Sequence, residues 1–161
     1  MYMGIDPGRD KCGASVTLDP TRASIKYFMG IDPGRDKCGV AVLTAAGEIK
    51  FQRVVPTEEL ADAVKNLAAE FDIEKVILGD GTTHKAAADK ISEAGLTFQL
   101  LNEKHTTEEA RREYWKKNPP RGWRKLLPTS MQVPPEPVDA IVAEILVRRF
   151  LTVISTKEAN P

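Results

Sequence analysis

An eleven-residue segment, MGIDPGRDKCG, occurs twice in this chain, as residues 3–13 and, unchanged, as residues 29–39. In each copy, apolar residues lead into Asp-Pro-Gly, which is a strong turn signal. A chain of 161 residues can build one domain with a substantial core but not two ordinary ones. The two identical copies compete for the same strand position, and only one can occupy it in a given sheet. The other copy must then lie at a sheet edge or add to the sheet of a partner.

The composition is that of a globular protein, with 42% apolar and 29% charged residues. No apolar run approaches the ~20 residues that a membrane span needs, and the N-terminal sequence lacks the pattern of a signal peptide. We therefore expect a cytoplasmic protein with no membrane partner. The formal net charge is zero, so nucleic-acid binding would depend on a local basic patch.

The hydrophobic pattern predicts a mixed sheet with helices packed on it, an α/β fold. In YFMGID, the alternation places Gly30 and Asp32 on the same face of a strand, with the carboxylate at the strand end. Two further strands follow as a hairpin, and after Pro56 helices alternate with strands. Thr57 is a candidate N-cap of the first helix, and a later helix is expected to begin with a capping box. That box would be formed by Thr106 and Glu109.

Three acidic residues stand where predicted elements begin or end: Asp32, Glu103 and Asp139. Each has an ordinary structural reading, as a turn former, a solvated charge at a strand end and an acid at a helix N-terminus. Asp139 also falls on the apolar stripe of the last helix, so it faces the sheet. Carboxylates that converge on one end of a sheet repel one another unless a cation holds them. Their oxygen ligands suit Mg²⁺ or Mn²⁺, and the absence of clustered His or Cys argues against zinc.

A basic segment with aromatic residues forms the candidate nucleic-acid surface. Its cations can neutralise phosphates, and its aromatic rings can stack on splayed bases. The alternative is a solvated helix face with Trp115 in the core. Trp123 is harder to explain as a core residue because it lies in a long loop rich in Pro and Gly. The residues predicted to bind nucleic acid are Arg111, Arg112, Lys116, Lys117, Arg121, Trp123, Arg124 and Lys125.

Four segments, in the same order and with similar gaps, resemble the YqgF-type, RuvC-like nucleases. They are MGIDPGRDKCGVAV, VILGDGTT, LLNEKHTTEEA and VDAIVAEILVRRFL, and the similarity runs from residue 29 to about residue 151. Members of this family are described as Holliday-junction resolvases and as pre-16S rRNA nucleases. The chain departs from the family pattern at Asn102, where an Asp is usual, and at His105, where a Leu is usual.

The resemblance implies a ribonuclease H-like fold with a five-stranded sheet of order 3-2-1-4-5. It also implies that Asp32, Glu103 and Asp139 are the catalytic acids and bind Mg²⁺ or Mn²⁺. The implied activity is hydrolysis of phosphodiester bonds in structured nucleic acid, either RNA or branched DNA, in which two metal ions activate a water and stabilise the leaving oxygen. The biological role would be processing of the pre-16S rRNA 5′ end or resolvase-like cleavage.

Three residues are alternates for the site: Asp6 in the first copy of the repeat, Asp80 at the end of the neighbouring strand, and His105 as a general base. His84 reads as a surface residue. We expect the second copy of the repeat to occupy the central strand, because it continues into the rest of the sheet through short connections. Asp32 would then be the catalytic aspartate and Asp6 a spare; the rival arrangement is that the first copy takes this position.

The predicted organisation is a duplicated N-terminal β unit (residues 1–28), a nuclease domain (residues 29–155) and a C-terminal tail (residues 156–161). An extra β unit at a sheet edge would favour strand exchange, so a homodimer is possible. Actin-like ATPases and sugar kinases share an Asp-x-Gly hairpin but need a second such domain. The remaining alternative is an engineered or non-catalytic nucleic-acid-binding scaffold with the ribonuclease H fold, which the identical repeat favours.

Overall fold

The computed structural model describes residues 25–158, and these form a five-stranded mixed sheet covered by helices on both faces. The strands are β1 (Tyr27–Asp32), β2 (Lys37–Thr44), β3 (Ile49–Pro56), β4 (Ile73–Gly79) and β5 (Phe98–Leu101). The helices are α1 (Leu60–Glu70), α2 (His84–Glu93), α3 (Thr106–Lys117) and α4 (Asp139–Glu158). The strand order is β3-β2-β1-β4-β5, so the predicted order 3-2-1-4-5 is confirmed.

Strand β1 is central, antiparallel to β2 and parallel to β4. Its alternation follows the sequence pattern: Met29 and Ile31 enter the core under α1 and α2, and Phe28 enters the core under α4. Helix α4 lies so close to the sheet that a side chain at Gly30 would overlap the carbonyl oxygen of Ala143. The two cores are therefore separated by the sheet, and the glycine allows α4 to pack directly on the middle strand.

The second copy of the repeat is the one that supplies β1 and the start of β2. Directly after the repeated segment, Val40 and Leu43 are fully buried. The matching residues of the first copy are Ala14 and Thr17, which are smaller or polar. Truncating one buried leucine costs about 2–5 kcal/mol, so the downstream residues favour the second copy in the central position. The first copy, with Asp6, lies outside the described residues.

Two local predictions about helix starts are wrong. A short 3-10 turn (Thr57–Glu59) precedes α1, and the Thr57 hydroxyl donates to the carbonyl oxygen of Gly34 (3.1 Å) instead of capping the helix. The expected capping box of α3 is absent because His105 adopts a left-handed conformation (φ 64°) and carries no side-chain cap. The Thr106 hydroxyl instead donates to the carbonyl oxygen of Glu103 (2.5 Å). Both threonines thus fix the backbone near the sheet edge.

The element bounds differ slightly from the predicted organisation. Strand β1 begins at Tyr27, where pairing with Thr44 and packing on Phe71 hold the backbone in the sheet. Helix α4 continues to Glu158, inside the expected tail. Between residues 25 and 158, no helix combines the length and apolarity that crossing a membrane requires. The role of residues 1–24 as a separate β unit stays a prediction.

Candidate carboxylate site

Acidic side chains gather at the edge of the sheet where β1, β4 and β5 all end. Asp32 is the last residue of β1, Asp80 follows β4, and Glu103 comes two residues after β5. Because these strands are parallel, their carboxyl ends lie at the same edge. Asp139, the first residue of α4, comes from a distant part of the sequence and lies at the same edge. The topology therefore brings together acids that are far apart in the chain.

Two glycines make room for the Glu103 carboxylate. A side chain at Gly79 would overlap Oε1 of Glu103, with its Cβ only 2.5 Å from Cδ. At Gly81 the corresponding Cβ would lie 2.8 Å from Oε2. The register that pairs Ile31 with Leu78 brings Asp32 beside Gly79 at the next step. The missing side chain at Gly79 thus lets Glu103 fold back over β4 towards Asp32.

A third glycine lets α4 begin at the same place. Gly39 on β2 is the pairing partner of Asp32, and a side chain there would overlap the carbonyl oxygen of Asp139. The first turn of α4 therefore rests on β2 next to the end of β1. Gln52 on β3 stabilises this position, since its Nε2 donates to the carbonyl oxygen of Ala140 (3.2 Å) and to Oε2 of Glu144 (2.8 Å).

The pKa of the Asp32 carboxyl is shifted far from its usual value. Its pKa is raised to about 7, first by burial, then by the negative charges of Glu103 and Asp139, and by a hydrogen bond with Glu103. Burial also raises the pKa of Glu103, although hydrogen bonds from Asp32 and the Gly81 N–H oppose that effect. Of the two acids, Asp32 is therefore the one that keeps its proton to near neutral pH.

Glu103 has an unsatisfied oxygen when both acids are ionised. Two carboxylates have no donor to share, and Oε1 of Glu103 is buried with no hydrogen-bond partner in the described part of the chain. A buried polar atom without a partner is costly and is a recognised sign of a missing proton or ion. A hard divalent cation would satisfy this oxygen and relieve the repulsion that raises the pKa of Asp32. The donor set and its electrostatics thus fit Mg²⁺ or Mn²⁺.

Asp139 lies beside this pair rather than closing a three-carboxylate cluster. Its Oδ2 is 3.5 Å from Nζ of Lys37, the first residue of β2. In residues 25–158, no group of three His, Cys, Asp or Glu side chains converges tightly enough to hold a metal ion. The site is therefore a pair of neighbouring carboxyls, Asp32 and Glu103, with Asp139 close enough for its charge to act on Asp32.

The loops that carry the pair are fixed by short side-chain bonds. The Thr83 hydroxyl donates to the carbonyl oxygen of Pro33 (2.6 Å), and Thr57 holds Gly34 on the other side of the same turn. Oδ1 of Asp80 accepts the backbone N–H of Glu103 (2.9 Å). These contacts tie the turn after β1, the turn after β4 and the segment after β5 into one unit, so the carboxylates are held before any ligand arrives.

The three alternates have different positions. Asp80 is a neighbour that orients Glu103 through its backbone N–H, and it faces solvent. His105 is exposed, and its Nδ1 lies 3.6 Å from Oε2 of Glu108. Asp6 lies outside the described residues. His84, which reads as a surface residue in the sequence, contacts the carbonyl oxygen of Gly81 through Nδ1 (2.7 Å) and is half-buried near Glu103.

The predicted nucleic-acid residues divide into two groups. Lys116 and Lys117 make ion pairs, the first with Glu113 at 2.5 Å and the second with Glu144 at 3.7 Å. The others make no ion pair with any residue from 25 to 158 and are exposed. These are Arg111, Arg112, Arg121, Arg124, Lys125 and the aromatic Trp123.

The aromatic residues of α3 are not available for stacking. Tyr114 and Trp115 are buried, 6% and 9% exposed, and pack edge to face on each other. Trp123 is 70% exposed. The alternative that places Trp115 in the core is therefore the one the structure shows, and Trp123 is the aromatic residue of this segment that stays exposed.

Sequence reasoning did not identify the role of Gly79 or the partner of Asp139. A glycine at the end of an apolar strand is a signal of close approach by another group, and that signal was present in VILGDG. The Lys37–Asp139 contact joins residues about a hundred positions apart and has no local signature.

The fold has known counterparts among solved structures. A structure of Thermus thermophilus RuvC in complex with a Holliday junction substrate is similar with a TM-score of 0.51 and 15% identity. A second Thermus thermophilus RuvC structure matches with a TM-score of 0.51 and 17% identity. Each match covers 81% of this chain and 97% of the RuvC chain. No family model matches the chain, and no curated protein sequence is significantly similar to it. At such identities the likeness concerns the fold, which is ribonuclease H-like with RuvC as a structural neighbour.

Proposed function

We propose that this chain is a nuclease of the YqgF type that needs Mg²⁺ or Mn²⁺ and hydrolyses phosphodiester bonds in structured RNA or branched DNA. The observation that carries the proposal is the close approach of the Asp32 and Glu103 carboxyls, made possible by Gly79, together with the buried, unsatisfied Oε1 of Glu103. Such a pair at the carboxyl edge of a ribonuclease H-like sheet suits a divalent cation better than any other partner. A RuvC neighbour bound to a Holliday junction substrate supports the choice of nucleic acid.

In this proposal the carboxylates of Asp32 and Glu103 bind the ion directly. The Asp139 carboxylate then exchanges its contact with Lys37 for a contact with the ion. The bound metal would supply Lewis acidity to the scissile phosphate and lower the pKa of a water. The protein's own contribution is positional: Asp80 orients Glu103, and Thr57 and Thr83 fix the turn that carries Asp32. Lys37 compensates the charge of Asp139 until the site is loaded.

The second candidate is a non-catalytic nucleic-acid-binding scaffold. It is favoured by one observation: no ready-made group of three metal-binding side chains exists within residues 25–158. In that case the exposed cations on α3 and the following loop would bind nucleic acid without cleavage.

The nuclease proposal has three further parts that rest on sequence patterns alone. These are the cytoplasmic location, the homodimer and the rRNA-processing role.

A cleavage assay separates these candidates. Structured RNA and a four-way DNA junction are incubated with the protein and Mg²⁺ or Mn²⁺ at neutral pH. We expect cleavage by the wild type, and its loss in Asp32→Asn and Glu103→Gln. Asp6→Asn is the matched control, because it makes the same change in an identical eleven-residue sequence, and it should remain active. Binding without cleavage of either substrate would favour the scaffold.

A further inference from the structure

An unusual surface lies in the connection between α3 and α4. Residues 121–133, called the lobe below, expose large apolar side chains to solvent: Trp123 (70% exposed), Leu126 (86%), Met131 (78%) and Val133 (74%). Single exposed apolar residues are common on protein surfaces, but a cluster in one short segment marks an interaction site. With Leu127 (45% exposed), the lobe holds five of the eight large apolar side chains that are exposed between residues 25 and 158.

The lobe has a defined shape. It contains two 3-10 turns, Gly122–Leu126 and Thr129–Met131. The side-chain amide of Gln132 donates to the carbonyl oxygens of Arg124 and Leu127, both at 2.9 Å. One side chain thus braces the two turns against each other and keeps the apolar groups pointing outward. Because the apolar groups are held in place, binding them costs less ordering entropy than binding a flexible loop.

The charge of the lobe indicates a polyanion. Arg121, Arg124 and Lys125 are exposed and make no ion pair with any described residue. Between the lobe and α3 lies a cleft of about 630 Å³. Its wall includes Arg111 and Arg112, and Glu108 is the one acid among the described residues that line it. The lobe side of the cleft is uncharged, formed by Pro128, Thr129 and Ser130. Cations on the α3 wall and elsewhere on the lobe suit a strand that follows the cleft and continues over the lobe.

The lobe is close to the carboxylate site. Val133 and Asp139 are six positions apart, so these two residues lie within about 20 Å of each other even for a fully extended chain. Helix α3 begins three residues after Glu103. A nucleic acid held at the carboxylates therefore reaches the lobe within a few nucleotides.

We propose that the lobe is a wedge that recognises unstacked bases, so that the protein selects nucleic acids with interrupted stacking over intact duplex. Trp123 offers a ring on which a base can stack, and Leu126 and Met131 offer apolar groups that insert between bases. The neighbouring cations neutralise the phosphates on either side. This inference rests on the proposed function for its substrate class and adds the structural feature that the substrate must have.

The test measures binding without cleavage, in EDTA, by fluorescence anisotropy. The probes are an RNA duplex, the same duplex with a central unpaired bulge, and a single strand of equal length. We expect the wild type to bind the bulged and single-stranded probes at least about tenfold more tightly than the intact duplex. Trp123→Ala combined with Met131→Ser should reduce this preference to nearly one while duplex binding stays within about twofold.

Two comparisons make the result specific. Val153→Ala removes an exposed apolar side chain of α4 outside the lobe (48% exposed) and should keep the preference. Glu103→Gln should also keep it, which separates the lobe from the nuclease activity. Equal affinity of the wild type for all three probes would overturn the proposal. So would a lobe-dependent dimer in sedimentation or lobe-dependent binding to anionic phosphatidylserine vesicles without any probe preference.

Discussion

The carboxylate site and the lobe are built in opposite ways. Asp32 and Glu103 stand at the ends of buried parallel strands, and backbone pairing, glycine spacing and threonine hydrogen bonds set their positions. The lobe lies in a connection without strands or α-helices, and the Gln132 amide is its main brace. The first region is acidic and half-buried, whereas the second is basic, apolar and exposed.

Under the proposed function, this difference separates reaction from recognition. The carboxylates stand at the ends of the strands that build the sheet, so chemistry placed there depends on the fold. The α3–α4 connection can change without disturbing the sheet, because connecting loops tolerate variation and often carry specificity. We therefore expect substitutions at the sheet edge to affect cleavage, and substitutions in the lobe to affect substrate choice.

The largest effect is expected from filling the space beside Glu103. In Gly79→Ala the new methyl group would overlap the Glu103 carboxylate, and this flexible side chain would move away from Asp32. We expect cleavage to fall by at least about 100-fold, since disturbing even the groups around metal ligands costs 10–100-fold. Val76→Ala, a cavity in the same strand, controls for lost stability. Wild-type cleavage by Gly79→Ala would contradict the role of Glu103.

The next effect concerns the lobe cations. Replacing Arg121, Arg124 and Lys125 by Ala should weaken nucleic-acid binding and reduce the slope of log affinity against log salt by about 2–3, because fewer counterions are released. The matched change of Lys116 and Lys117, which already make ion pairs, should alter the slope less. The measurement is a salt titration of binding. An unchanged slope in the triple variant would show that the lobe cations do not contact phosphates.

A moderate effect is expected from pH in the absence of metal. Asp32 has a pKa of about 7 in the folded protein against 3.8 for the free side chain, so between these values the folded state holds a proton that the unfolded state has lost. The contribution of Asp32 to the free energy of unfolding is therefore largest below about pH 4 and decreases as the pH rises to about 7.

Urea unfolding at pH 5 and pH 8 measures this effect as the difference between wild type and Asp32→Asn, because groups outside the Asp32–Glu103 pair cancel. The wild type should lose more stability than the variant between these pH values, and Mg²⁺ should restore part of it at pH 8. Parallel pH dependence of the two proteins would show that Asp32 titrates normally.

The smallest effect is expected from one bond that fixes the turn after β1. Thr83→Val removes the hydroxyl that donates to Pro33 and should destabilise the fold by about 1 kcal/mol. Cleavage should fall by less than about tenfold. Thr82→Val is the control, because the Thr82 side chain makes no hydrogen bond within residues 25–158 and is exposed. Equal stability of the two variants would show that the hydrogen bond from Thr83 to Pro33 does not stabilise the turn.

Much of the fold could be predicted from the sequence. The alternation around Gly30 fixes both faces of β1, and the order of periodic segments specifies the sheet. The helix starts were less predictable, because a left-handed His105 replaces the expected cap and Thr57 bonds to a distant turn. A short sequence motif indicates which local hydrogen bonds a side chain can make. Which of them forms depends on the groups that the fold brings close to that side chain.

The candidate site was predictable as a set of residues but not as a geometry. Strand ends at one edge indicate that Asp32 and Glu103 approach each other. The contact itself depends on Gly79, whose role follows from β4–β5 pairing, and the ion pair of Asp139 with Lys37 depends on how α4 docks. The brace by Gln132 likewise joins residues in a loop for which no periodic pattern exists.

The central claim is that Asp32 and Glu103 form a divalent-cation site, and direct Mn²⁺ binding tests it without any substrate. Electron paramagnetic resonance reports free Mn²⁺ in a titration of wild type, Glu103→Gln and Asp6→Asn at pH 7.5. We predict that wild type and Asp6→Asn bind Mn²⁺ equally, that Mg²⁺ competes, and that Glu103→Gln loses at least about tenfold in affinity. Equal Mn²⁺ affinity of Glu103→Gln and wild type, or no binding by either, would contradict the account.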